Sequence, residues 1–332
     1  MKILVIRFSS IGDIVLTTPV VRNIRQQLPE AEVHFLTKSD FRDIVCHNPN
    51  IDKVHFLGDQ WDRIIGELKA ERFDYIIDLH HNLRTARVKR ALKIKARSFP
   101  KLNIQKWLYT NLKINRLPNI HIVDRYMDTV APLGVINDGK GLDFFIPSKD
   151  EIRLSDLPHA HFAGYIALVI GAAHATKRMP SEKLKELCSL IHHPIILLGG
   201  KEDRARGEDI ASVDPIKIYN ACGKFSLNES ADIVKKATLV ITHDTGLMHI
   251  AAAFKKPVIS IWGNTVPDFG MYPYYGNRPV PSAKFEVKGL RCRPCSKIGY
   301  DQCPKGHFKC MQNQDLKSIA LMAEAWAREW RP

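Results

Sequence analysis

The sequence predicts an α/β protein made of two Rossmann-like domains, each a parallel sheet covered by helices, and three observations lead there. Short β-branched runs alternate with amphipathic helical stretches along the chain. The runs fall into two series with a less regular stretch between them. The length, 332 residues, is ample for two domains with buried cores.

KILVIRF, EVHFLTK, KVHFL and DYIIDL form the first series of strands; YIALVIG, PIILLGG, TLVITHD and PVISIWG form the second. Between them lie basic helices and then LGVINDGKGLDFFIPSKDEIRLSDLPHA, rich in Gly, Pro and Asp, whose later part, residues 148–162, reads as a linker. The expected division is a first domain over 1–155, a second over 156–312 and a terminal helix over 313–332. That helix, QDLKSIALMAEAWAREW, has apolar residues at helical spacing and two tryptophans, Trp326 and Trp330, to bury. The first domain is a candidate surface for it to pack back on.

With 45% apolar and 25% charged residues the chain reads as an ordinary soluble globular protein. It has no apolar run approaching 18 residues, and Met1–Lys2 leads straight into a strand, so a cytoplasmic protein is expected. A formal net charge of +14 implies an acidic partner: nucleic acid, a phosphorylated small molecule or an anionic membrane. From Leu79 to Val123 there is no Asp or Glu, yet Arg84, Arg87, Lys89, Arg90, Lys93, Lys95, Arg97, Lys101, Lys106, Lys113 and Arg116 all occur there, interleaved with Trp107 and Tyr109. A merely solvated face would mix in acids, so this stretch is expected to face an anion.

Ligands of open α/β sheets bind beyond the carboxyl ends of strands. Ser9, Ser10, Ile11, Gly12 and Asp13 occupy that place after the first strand. Gly12 permits a tight turn, and the serines and backbone amides suit a polar ligand. Neither a GxGxxG fingerprint nor a P-loop is present. Asp13 in a first helical turn has two readings, a backbone cap and a catalytic carboxylate. Pro19 either kinks the helix that follows or marks a restart capped by Thr18.

In the second domain IGAAHATKRMP sets Thr176, Lys177 and Arg178 before a helix expected to be capped by Ser181, a pair of cations suited to a diphosphate or to surface ion pairs. LLGGKEDR ends a strand on two glycines and then Glu202, where a ribose or base could be read. ITHDTGLMHIAAAF carries a strand, then Asp244, Thr245 and Gly246, then a helix opening with Leu247, Met248 and His249. Asp244 is either a cap or a hydroxyl acceptor that grips a sugar, while His249 on an apolar face reads first as a hydrogen-bonded structural histidine.

The residues SSIGD, KRMP and DTGLMHIAAAFKKPVISIWG, together with HIVDRYMDTVAPLG and CRPCSKIGYDQCPKGHFKCM, resemble glycosyltransferase family 9, the lipopolysaccharide heptosyltransferases, over nearly the whole chain. The resemblance implies a GT-B fold with its two sheets facing across a cleft, a nucleotide-diphosphate sugar donor, commonly ADP-heptose, and inversion at the anomeric carbon without a metal. It implies Asp13 as general base, with Ser9, Ser10 and Gly12 on the acceptor side. Lys177, with Thr176 and Arg178, would hold donor phosphate, and Asp244, Thr245, Gly246, Leu247 and His249 would line the donor site. Glu202 and Phe225, the latter in GKFSLNES, fall near adenine and ribose. A phosphorylated, lipid-anchored core acceptor is polyanionic, which gives Arg84, Arg87, Lys89 and Arg90 a use in acceptor binding and in peripheral attachment to the inner membrane face.

Cys292, Cys295, Cys303 and Cys310 follow C-x2-C-x7-C-x6-C with His307 nearby, a pattern open both to a structural zinc and to reduced thiols packing a loop. Two further readings stand beside the heptosyltransferase. One is a relative using another nucleotide sugar, such as an ADP- or GDP-linked hexose. The other is a basic nucleic-acid-binding protein with a zinc, disfavoured because no recognised motif or aromatic stacking platform is present.

Overall fold

A computed structural model of the chain describes residues 1–330, and in it the chain divides into two compact units. The first comprises 1–101, 120–145 and 274–278; the second comprises 102–119, 146–273 and, of the described residues, 279–330.

The first unit holds five strands: β1 (Lys2–Ile6), β2 (Glu32–Lys38), β3 (Lys53–Leu57), β4 (Tyr75–Asp78) and β5 (Lys95–Ser98). They are parallel in the order β3-β2-β1-β4-β5, with Ile3 beside both Val33 and Tyr75. This order places a switch point between β1 and β4, where the chain's direction of winding reverses. Ile3, Leu4, Val5 and Ile6 are wholly buried, as a central parallel strand covered on both faces requires. Leu4, Ile6, Leu36, Leu68 and Ile76 centre one of its cores. The short helix Ile11–Val15 ends and a new one, Thr18–Gln27, begins, with Thr17 at its N-cap and Pro19 in the first turn. The sequence thus restarts the helix here, one residue earlier than Thr18 suggested, because proline's missing N–H costs nothing in a first turn. Tyr274 returns from far along the chain to this unit, donating its hydroxyl to Asp124 at 3.0 Å and stacking on His121.

The second unit holds β6 (Ile166–Val169), β7 (Ile195–Leu198), β8 (Ile218–Asn220), β9 (Leu239–His243), β10 (Val258–Trp262) and β11 (Ser282–Glu286). Their order, β11-β10-β9-β6-β7-β8, is again parallel and doubly wound, with the switch point between β6 and β9. The helix Leu316–Glu329 lies in this unit's core, where Leu316, Ile319, Ala320, Ala323 and Ala327 join Leu184, Leu187 and Ile241. This corrects the expectation that it packs back on the first domain: its apolar stripe fits beside the helix Ser181–Leu190. Trp326 is only half-buried against that core, so the small alanines, rather than the tryptophans, make the closest packing.

Candidate functional site

Each switch point carries an ion pair. In the first unit Arg7 follows β1 and is almost fully buried, with its side chain spanning toward β4. Its guanidinium donates to the carbonyl of Leu79 at 2.5 Å, to the Tyr126 hydroxyl at 3.0 Å and to the Ser9 carbonyl at 2.7 Å, and it pairs with Asp13 at 2.7 Å. Burial opposes the charge on Arg7, but Asp13 beside it outweighs that and holds the guanidinium above its ordinary pKa. Asp13 in turn accepts from the Ser10 hydroxyl at 2.8 Å and, more weakly, from the Ser10 amide at 3.3 Å. The carboxylate is therefore both a cap and an oriented group; its side chain keeps 19% exposure. Ser9, Ser10, Gly12 and Asp13 lie together at the end of β1, and Arg7 joins them there, a residue the sequence reading did not single out. A lone arginine closing an apolar strand, five letters before Gly12, was the available signal.

His80 follows β4 and lies against Phe8, with ring centres 5.0 Å apart. Burial, reinforced by Arg7, lowers its pKa to about 4. Neutral imidazole thus lies close to the Arg7–Asp13 pair.

The predicted acceptor cations on the helix Leu83–Leu92 divide in two. Lys89 pairs at 2.8 Å with Asp78, a fully buried carboxylate at the end of β4, and also donates to Ser98. Arg87 stacks over Trp61 at 4.4 Å. Lys89 is thus held in a structural pair, which corrects the expectation that all four face an anion: a buried carboxylate needs a charged partner. Arg84, Arg87 and Arg90 remain exposed.

Across the second switch point Lys177 donates to Asp244 at 2.7 Å, and Thr265 donates to the same carboxylate oxygen at 3.0 Å. Lys177 lies in a single 3₁₀ turn, Ala175–Lys177, after β6; Asp244 follows β9, and Thr245 is the N-cap of the helix Gly246–Ala253. Both charged side chains keep some exposure, 16% and 14%, as a ligand-facing pair requires. Gly246 and Leu247 are half-buried at the same helix start. His249 lies inside, 2% exposed, in line with its structural reading.

Three neighbours depart from expectation. Thr176 is buried, and its hydroxyl is consumed by Tyr300, donating to the carbonyl and accepting from the amide, so it secures the cysteine-bearing loop instead of a donor. Ser181 is the first residue of its helix, with Pro180 at the cap, and its hydroxyl accepts from Arg206. Glu202 is exposed, whereas its neighbour Asp203 points inward and accepts from the Gly200 amide at 3.0 Å. Gly171 and Gly199 exist for this carboxylate: a Cβ on either would come within 2.3 and 2.8 Å of it. Arg178 donates to the Ala172 carbonyl and lies 3.8 Å from Asp203. Phe225 is half-buried in the loop after β8.

All seven cysteines are unpaired thiols. Cys292 approaches His307 at 3.8 Å, and burial beside Cys292 pushes the Cys295 thiol up to about 12. Among the described residues, however, only His34, His55 and Glu71 gather three donor atoms within 4.8 Å. There His34 meets His55 at 2.9 Å and Glu32 at 2.7 Å, while Lys2 and Lys53 hold Glu71. A hydrogen-bonded chain from Glu32 through the two imidazoles satisfies that group without a metal.

Two doubly wound parallel sheets in one chain, each with a charged pair at its switch point, are the architecture of the GT-B fold. Solved structures of like fold include a glycosyl transferase family 9 protein from Veillonella parvula (TM-score 0.78, 22% identity, 99% of this chain and 97% of that one). Another is ADP-heptose lps heptosyltransferase II of E. coli (TM-score 0.73, 17% identity, 99% of each chain). Curated relatives include lipooligosaccharide heptosyltransferase 2 of Haemophilus influenzae, 25% identical over 296 residues, covering 81% of this chain and 85% of the relative. Lipopolysaccharide heptosyltransferase 1 of Campylobacter coli is 28% identical over 289 residues, 80% of this chain and 84% of the relative. Residues 61–296 match glycosyltransferase family 9 (heptosyltransferase), and the chain belongs to that family.

Proposed function

We propose that this enzyme moves a heptose from ADP-heptose to an inner-core sugar of a lipopolysaccharide acceptor, with inversion at the anomeric carbon and without a metal in the chemical step. The observation that carries the reading is the partly exposed Asp13 carboxylate, held at the carboxyl end of β1 by Arg7 and Ser10. The names of the curated relatives support the sugar and the acceptor.

In this mechanism Asp13 takes the proton of the acceptor hydroxyl as that oxygen bonds to the anomeric carbon. The bond from that carbon to the donor's phosphate oxygen breaks, and ADP departs with the electron pair. A positioned base is worth on the order of 10²–10⁴-fold in rate. Lys177 and the amides at the start of the helix Gly246–Ala253 balance the charge on the departing phosphate. Asp244 holds Lys177 in place until the donor arrives and is then available to a sugar hydroxyl. Arg178 and Phe225 complete the donor side in this reading.

Turnover and thermal-shift measurements on wild type and Asp13→Asn test it together. ADP and ADP-heptose should stabilise both proteins, and transfer should fall by about 10²–10⁴-fold in the variant alone. Undiminished transfer by Asp13→Asn refutes the base. Stabilisation by a different nucleotide sugar, with none by ADP-heptose, replaces the donor.

We place the enzyme on the cytoplasmic face of the membrane as a peripheral protein, supported by the acid-free basic stretch and the exposed Arg84 and Arg90. No helix among the described residues is long and apolar enough to cross a membrane. The approach of Cys292 to His307 supports a structural zinc that draws in Cys295, Cys303 and Cys310. One zinc per chain by metal analysis is expected; its absence from protein purified without chelator leaves the thiols as packing groups.

A further inference from the structure

Residues 102–119 form a fastened projection of the second unit. The helix Asn103–Trp107 continues through a wide turn, Leu108–Leu112. One side is tied down. Tyr109 and Asn115 both donate to Asp268 at 3.0 Å, and Lys113 donates to the carbonyls of Cys292 and Pro294 at 3.2 and 2.8 Å. The Tyr109 ring meets Phe269 edge-on at 6.1 Å.

The other side is bare and apolar. Ile104 is 73% exposed, Trp107 53%, Leu112 53% and Ile114 45%. Lys106, Lys113 and Arg116 are the charged residues of the segment, and it contains no carboxylate. An apolar face held in place by this many polar ties, and surrounded by one sign of charge, is suited to a partner that is apolar inside and anionic outside.

We propose that this face docks on the surface of an anionic lipid bilayer, with Ile104, Trp107, Leu112 and Ile114 entering the headgroup boundary while Arg116 meets lipid phosphates and the nearby charges of Lys106 and Lys113 add to the attraction. A tryptophan at the edge of an apolar patch suits that boundary, where an amphipathic ring has both environments. Single-sign charge favours lipid over a second copy of this chain, whose identical face would repel it. The inference rests on the peripheral-membrane reading but names a different contact, residues 102–119 instead of the arginines of the helix Leu83–Leu92.

Co-sedimentation of the full chain with vesicles of phosphatidylcholine and phosphatidylglycerol tests it. The variant Ile104→Ser/Trp107→Ser/Leu112→Ser should lose at least about tenfold in vesicle partition, with its thermal midpoint and its turnover on a deacylated, soluble acceptor unchanged. Wild-type binding should weaken with salt and on vesicles lacking phosphatidylglycerol. Should the triple variant misfold, Trp107→Phe reads the same contact: the blue shift of tryptophan emission on adding vesicles should disappear. Wild-type binding retained by the triple variant but lost on removing Arg84, Arg87 and Arg90 overturns this inference and leaves the peripheral reading standing. Failure of wild type to bind any vesicle overturns both. A wild-type dimer in sedimentation velocity that the triple variant abolishes assigns the face to a second copy and overturns the lipid assignment.

Discussion

Lys89→Met should destabilise the protein without touching the chemistry. Asp78 is 0% exposed and Lys89, its partner at 2.8 Å, is 22% exposed. Breaking a buried pair by removing one member costs about 3–5 kcal/mol. Asp78 would still accept from the amides of His80 and His81 at 3.1 and 2.6 Å and from Ser98 at 3.1 Å, which brings the cost to the bottom of that range or just below it, about 2–3 kcal/mol. The pH dependence supplies a second signature. Burial alone would raise the Asp78 carboxyl, but Lys89 and the His81 amide outweigh it and leave it below its ordinary value of 3.8. In wild type that group therefore stabilises the fold above this value, and the contribution is lost as pH falls through the lowered folded pKa. In the variant burial is opposed only by the remaining hydrogen bonds, the folded carboxyl rises from its wild-type value, and protonating it relieves the fold. The gap between the two proteins should be widest at pH 7 and narrow toward pH 4. Urea unfolding followed by circular dichroism at both pH values measures it. A variant as stable as wild type at pH 7, with a raised acceptor KM, would refute the structural role and return Lys89 to acceptor binding.

Lys177→Met should lower transfer by about 10²–10³-fold and, unlike Asp13→Asn, also shrink the thermal shift produced by ADP; an undiminished shift would sever Lys177 from the phosphate. His55 and His243 are kept neutral by burial down to about 4 and about 3. The unfolded chain takes up protons first below 6.5, so each should cost about 2 kcal/mol of stability by pH 5, and His243→Gln should flatten the slope of stability against pH between 7 and 5; an unchanged slope removes His243 from the account. Ile319→Ala should cost about 2–5 kcal/mol in urea unfolding because the residue is wholly buried in the second core; a loss below about 1 kcal/mol would mean that the terminal helix is not integral to that core.

Eight of the eleven strands were legible as β-branched runs, and their division into two series gave the two sheets. The three that were not legible are all at sheet edges. KARS is basic and largely exposed, IYN is three residues long, and SAKFE alternates with polar residues on a half-buried edge. KARS and SAKFE bury little, so their letters report solvent more than pairing, while IYN is buried but too short to stand out as a run. Asp13, Lys177 and Asp244 were legible because strand-end loops before helices are where ligands bind. Arg7 and Asp203 were not, since their roles depend on Leu79, Tyr126, Gly171 and Gly199, which only folding brings near. The same holds for Lys89: one letter in a run of cations gives no sign that a buried carboxylate eleven residues earlier has claimed it.

The chain passes between its two units at 101/102, 119/120, 145/146, 273/274 and 278/279. Neither unit is thus a contiguous stretch that can be excised. A gene cut at residue 155, where the linker invites one, would separate residues 102–119 from the Asp268 carboxylate and the Cys292 and Pro294 carbonyls that fasten them. It would also leave Tyr274–Arg278 on the wrong fragment, away from Asp124 and His121. Swapping whole domains between relatives of this enzyme therefore calls for exchange of three separate segments across five junctions, and a chimaera spliced at one point would inherit two incomplete halves.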